Sequence, residues 1–233
     1  MDRQERSNNS RNAEDELSYV SLYLCAFLFL VYGLQTFFNL ELAYRPGVEY
    51  YRFFTSFLAH SSLEHLLNNL FFIGLFGTIY EIHTDSETVL FTFVVSAVLA
   101  NFTAFVFYPE TFILGASAGA LGILAALAVY RPNQVGVGLG VPMPMWAVLV
   151  GYIFIDFVGL AGTNTTANEA HLAGLLVGGL MGYRLRSNKD RSKSSNQSKS
   201  KLRKKNNISQ QNEDLDIDNW ETKIREWEEK WMK

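Results

Sequence analysis

Charge is scarce in this sequence where most proteins carry it. Of the 20 Lys and Arg in 233 residues, only Arg45, Arg52 and Arg131 fall between 17 and 183, and the same stretch holds nine acids. Twelve charges in 167 residues is about 7%, against roughly 25% in a soluble domain. A globule of that size could not clothe its surface in water with so few. The pattern argues against a soluble enzyme, a nucleic-acid-binding domain and a disordered chain. The whole-chain averages of 48% hydrophobic, 18% charged and net charge -3 hide this, because the other basic residues sit in the two ends. Cysteine is nearly missing too. Cys25 alone leaves no intrachain disulfide framework and no cysteine-cluster metal site. Neither a cofactor nor a metal is expected.

What fills the charge-poor stretch is apolar runs. A hydrocarbon core about 30 Å thick needs roughly 20 apolar helical residues, and 17–38 meets this without one charge. It is too long for a signal-peptide core of about 7–15 residues, and no small-residue cleavage site follows. Further runs lie at about 63–82, 88–108, 116–130, 143–161 and 170–183, with a Gly-rich loop at 135–141. The fourth and sixth are short, so they need shielding by neighbours or a thinned bilayer. The expectation is an all-α polytopic membrane protein, a bundle of six transmembrane helices. Arg184, Arg186, Lys189, Arg191 and Lys193 follow the last run, which places the C-terminus in the cytoplasm of a cell-membrane protein. Six spans bring the N-terminus to the same side.

Polar residues in such helices cost free energy and need a reason. His60, His65 and Asn69 open the second run, Gly115 and Ser117 the fourth, His171 and Gly174 the sixth. These three runs all descend from the outer side, so the polar groups share one layer below the outer surface. Ser117 becomes a nucleophile if a base takes its proton, and His171 is that base if the fourth and sixth helices touch. Gly115, Gly119 and Gly122 on one, with Gly174 and Gly178 on the other, allow close backbone approach. Acyl transfer also needs donors for an oxyanion. Asn69 and His65 lie four apart, on one helix face, and the Ser117 N–H lies near a helix N-terminus. No carboxylate stands out as the partner of His171, so a two-residue mechanism is the simpler reading. Asp156, near the outer end of the fifth run, reads as a structural or gating residue, and His60 as structural. Asn101 reads as a hydrogen-bonding bridge to a neighbouring helix, and Tyr51-Arg52 as an interfacial anchor or loop brace.

At these residues the sequence resembles the rhomboid family of intramembrane serine proteases. Gly115-Ala-Ser117-Ala is similar to its nucleophile motif, Ala170-His171-Leu-Ala-Gly174 to its last-helix histidine motif, and His60-x4-His65-x3-Asn69 to its second-helix pattern. Tyr51-Arg52 stands where many members carry Trp-Arg. Ala118 and Leu121 depart from the Gly and the aromatic found at those places in many members. The resemblance covers about 17–185 and implies the minimal six-helix form, with Ser117 as nucleophile, His171 as general base, and His65 and Asn69 at the oxyanion site. It implies cleavage of transmembrane protein substrates near their outer end, with the fifth helix as a lateral gate. A non-proteolytic relative that binds or chaperones membrane helices is the alternative. A transporter is a third, but that reading predicts midplane polar residues and internal repeats, whereas the motif residues cluster toward one side and no convincing repeat is seen.

The ends complete the organisation. Residues 1–16 form a polar N-terminal segment, 17–186 the membrane domain, 187–212 a basic linker expected to be disordered, and 213–233 an acidic, Trp-rich amphipathic helix on the cytoplasmic side. Residues 184–205 carry ten basic residues against Asp190, while Ile217, Trp220, Ile224, Trp227 and Trp231 recur at helical spacing. The basic stretch suits a bilayer with anionic lipid. The acidic helix suits docking to a protein partner or to the basic linker better than lying on such a surface.

Overall fold

The computed structural model describes residues 19–45, 47, 49–107, 110, 112–138, 140–161 and 167–232, apart from the side chains of 193 and 204–218. The polar segment 1–16 and the side chain of Ile217 therefore lie outside the described residues. The chain divides into two units, Met1–Leu185 and Arg186–Lys233. In order come α1 (Val20–Phe38), α2 (Arg52–Thr55), a 3₁₀ turn (Ser56–Leu58), α3 (Leu63–Phe72), a π-helical turn (Ile73–Gly77) and α4 (Thr78–His83). Then follow α5 (Ser86–Phe107), α6 (Ser117–Tyr130), β1 (Val135–Gly138), β2 (Val141–Pro144), α7 (Met145–Gly159) and α8 (Asn168–Trp231). Every apolar run in the sequence falls on helix, the second on α3, the π turn and α4 in succession. Among the described residues, only α1 and α5 are long and apolar enough to cross a membrane by length and composition alone.

The burial pattern is that of a bundle with an apolar outside. Phe29, Phe37, Phe91, Phe102, Phe154 and Phe157 are all exposed. The helix with least contact to the outside is α6, where Ala118 through Ala128 are all buried. It packs on α5 and α7 and on the π turn. Small side chains make this possible, since Ala and Gly let surrounding helices come close on every side. Fourteen residues rise only about 21 Å, so this central helix is shorter than the hydrocarbon core. It stops where Arg131 precedes Pro132, a position that disfavours helix.

The ends of the helices are tied by side chains from elsewhere. At the start of α1, Glu81 of α4 accepts from the N–H groups of Val20 (2.7 Å) and Ser21 (3.1 Å) and from the Ser21 hydroxyl (2.7 Å). Ser86, which opens α5, donates at 2.7 Å to Oε1 of Glu81, the oxygen that also accepts from Val20. The carboxylate thus satisfies N–H groups that a helix start leaves open, and its charge complements the helix dipole. Arg52 braces the loop before α2, pairing with Glu49 at 2.9 Å and with Glu41 at 3.8 Å.

Two expectations need correction. The Gly-rich loop 135–141 is not irregular: β1 and β2 pair as an antiparallel hairpin with Val135 opposite Pro144 and Gly138 opposite Val141. Gly140 takes φ +79 at its tip, a conformation open to glycine without steric cost. The fifth helix accordingly starts at Met145 rather than 143. The stretch 187–212, expected as a disordered linker, lies within helix α8. It holds neither Pro nor Gly, and Lys, Arg and Gln rank high in helix propensity. In the second unit Trp220, Ile224, Trp227 and Trp231 are all exposed.

Candidate active site

The site is assembled by the packing of α6 against the start of α8. A Cβ on Gly174 would run into the carbonyl oxygen of Ala118, one on Gly178 into that of Gly122, and one on Gly182 into that of Ala126. One glycine per turn of α8 thus faces one carbonyl per turn of α6, and the two backbones lie in contact. The first two of these glycines are legible as a small-residue face in the sequence, and Gly182 extends it. Ser117 directly precedes Ala118 at the end of this seam, and His171 stands about one turn before Gly174. The register brings Ser117 Oγ and His171 Nε2 to 2.7 Å, a hydrogen bond between the two residues that the sequence pairs as nucleophile and base.

The other imidazole nitrogen is occupied as well. His171 Nδ1 lies 2.9 Å from Asp156 Oδ1. The sequence offered no obvious carboxylate for His171 and read Asp156 as structural or gating; the contact adds a partner that the sequence did not pair with the imidazole. On α7 the apolar neighbours Phe154 and Phe157 are each 66% exposed while Asp156 is 4% exposed. The helix turns its one acid inward and its aromatic rings outward, as the cost of a carboxylate in apolar surroundings demands.

His65 and Asn69 approach from α3. The His65 ring lies against Gly115, where a Cβ would come within 2.7 Å of its Cε1. Gly115 also holds φ +118 and donates its N–H to the Ser56 carbonyl at 3.1 Å. Both the conformation and the space require glycine two residues before Ser117. Ser61 Oγ lies 3.2 Å from His65 Nδ1 and Ser62 caps α3 by accepting from the His65 N–H at 3.1 Å. Asn69 is 5% exposed, and among the described residues its buried amide nitrogen has no hydrogen-bond partner. A donor left open in such surroundings is unusual, because buried polar groups are nearly always paired.

His60 is built in differently. Gln35 of α1 clamps its backbone, accepting from the His60 N–H at 3.1 Å and donating to its carbonyl at 2.9 Å. Its ring meets His65 edge-on, with centroids 5.1 Å apart. Asn101 of α5 donates to the Phe53 carbonyl (2.8 Å) and the Ser56 hydroxyl (2.9 Å), so it bridges to the segment that positions Gly115. Gln35 is the one side-chain amide of α1, but nothing in the sequence names the backbone it clamps. Among the described residues no group of three or more His, Cys, Asp or Glu side chains converges as a metal site would require.

A helical bundle with an apolar exterior and a half-buried serine–histidine pair defines a class of membrane protein with polar chemistry set among its helices. The Rhomboid domain family model matches residues 47–188, and the chain belongs to the rhomboid family, a family of multi-pass membrane proteins. It is 25% identical over 175 residues to Rhomboid-like protein 11, chloroplastic, of Arabidopsis thaliana, covering 68% of this chain and 59% of that one. It is 28% identical over 141 residues to Rhomboid protease GlpG of Photorhabdus laumondii subsp. laumondii, covering 58% and 47%. To Rhomboid protease GlpG of Salmonella paratyphi A it is 30% identical over 142 residues, covering 58% and 48%. The chain spans about half the length of the curated relatives it matches.

Proposed function

We propose that this protein is an intramembrane serine endopeptidase. The observation that carries the reading is the 2.7 Å contact of Ser117 Oγ with His171 Nε2, made inside an apolar bundle. In the reaction His171 Nε2 takes the Ser117 proton as Oγ attacks a scissile carbonyl, and the carbonyl electron pair moves onto oxygen. The open Asn69 amide nitrogen, the His65 ring and the N–H groups of the first turn of α6 are the available donors for that oxyanion. Collapse expels the amine, which leaves with the proton from Nε2. Water then repeats the sequence on the acyl-enzyme with His171 as base.

The substrate class on this reading is a transmembrane segment of another protein. A helix hides its carbonyls in its own hydrogen bonds, so cleavage falls where the segment unwinds near its outer end. Six spans with both termini in the cytoplasm of a cell membrane place the Ser117 layer near the outer surface. Binding of membrane helices without cleavage is the alternative, but the retention of both reacting groups in contact favours the peptidase. The test is a purified protein reconstituted in liposomes with a single-span model substrate. Cleavage should appear for wild type and be abolished in Ser117→Ala. Equal cleavage by the Ser117→Ala protein would refute the reading.

A further inference from the structure

The His171 imidazole is held at both nitrogens, by Ser117 Oγ at 2.7 Å and by Asp156 Oδ1 at 2.9 Å. The three side chains come from three helices, Ser117 from α6, His171 from α8 and Asp156 from α7. A base that accepts the serine proton at Nε2 must begin as the neutral tautomer with its proton on Nδ1. A neutral imidazole is free to carry that proton on either nitrogen, and which one is set by the partner of the other. An ionised carboxylate only accepts, so a partner of that kind at Nδ1 selects the tautomer with the proton there. The arrangement is thus the one in which Nε2 presents a lone pair to Ser117.

We infer that Asp156 is a positioning residue for His171, locking its tautomer and ring orientation and balancing the positive charge it gains during the reaction. The proton balance is closed without any transfer to Asp156. The Ser117 proton goes to His171 Nε2 and later leaves with the amine, while the Nδ1 proton stays on Nδ1 and the carboxylate keeps its charge. Burial strengthens both effects. A carboxylate that is 4% exposed interacts with the imidazolium in a medium of low dielectric, and it is held by a helix rather than a loop. The groups that face His171 are Ser117 on α6, Asp156 on α7 and, at longer range, His65 on α3. Asp156 is the anion among these three.

This inference rests on reading Ser117 and His171 as a peptidase pair, and the experiment separates the two. Full-length wild type, Asp156→Asn, Asp156→Glu and Ser117→Ala are compared on the single-span model substrate. Asn keeps the shape and an accepting oxygen but loses the charge and can donate to Nδ1, which favours the wrong tautomer. Asp156→Asn should lower kcat by on the order of 10²–10⁴-fold with KM and thermal midpoint unchanged, and Asp156→Glu should recover part of the loss. In the Ser117→Ala background, where no turnover is needed, the His171 imidazole ¹⁵N resonances should report protonation at Nδ1, shifting toward Nε2 once Asp156→Asn is added. A fully active Asp156→Asn beside a dead Ser117→Ala overturns the role of Asp156 alone. An Nε2-protonated His171 in the presence of Asp156 overturns it too, even if Asp156→Asn folds poorly. An active Ser117→Ala instead removes the reading beneath it.

Discussion

The carbonyl oxygen of Gly122 lies where a Cβ on Gly178 would have to go. That single relationship fixes how closely α6 and α8 approach, and with it the distance between Ser117 and His171 one to two turns away. It also accounts for the Ala and Gly that make up half of α6, since a larger residue on the shared face would part the helices.

Gly178→Ala should therefore cost both stability and turnover. Overpacking of this kind destabilises by about 1–3 kcal/mol, and a misplacement near 1 Å lowers rates by on the order of 10²-fold. Thermal denaturation and turnover, measured together, check this. A variant of normal midpoint and full activity would mean that the seam does not set the site. Gly33 makes a useful control, since nothing lies within 4 Å of a Cβ there.

Asn69→Ala tests the open donor. Loss of one oxyanion donor lowers kcat by about 10²–10³-fold, and because the Asn69 nitrogen has no partner to lose among the described residues, stability should hold. The expected result is a fall in kcat at constant KM and constant thermal midpoint. A drop in stability with normal turnover would assign Asn69 to the packing of α3 instead.

Glu81 is expected to behave in the opposite way. Its carboxylate accepts from Val20, Ser21 and Ser86 far along the chain from Ser117. Glu81→Ala leaves those donors open and should cost about 2 kcal/mol or more, read as a lowered thermal midpoint. Turnover per folded molecule should be unchanged at low temperature. A variant that stays fully stable would show that α1 needs no cap from α4.

Much of this was legible in the sequence, for physical reasons. Apolar runs declare themselves by length, and each of the six falls on helix. Ser117, His171, His65 and Asn69 stand out because a polar residue among apolar ones is conspicuous, and the glycines at 174 and 178 announce a close seam. Asp156 was equally conspicuous, yet its partner was not, because the rotation of α7 against α8 is set by packing that periodicity does not encode. Glu81 carries no sign of its partners in the sequence, and only the fold brings Val20 and Ser21 to it. The hairpin at 135–144 was hidden by alternating Gly, which weakens a strand pattern. Gln35, a lone amide in a long apolar helix, carried no sign of the backbone it clamps at His60.

The most direct measurement of the central claim is covalent labelling of purified full-length protein in detergent with a fluorophosphonate probe, read by peptide mass spectrometry. The probe traps a serine activated by a neighbouring base, and Ser117 Oγ has such a neighbour at 2.7 Å. The account predicts one adduct, on Ser117, absent from Ser117→Ala and strongly slowed in His171→Ala. A folded wild-type protein that takes no label while an established serine peptidase in the same detergent does, or label on another residue that survives in Ser117→Ala, would contradict it.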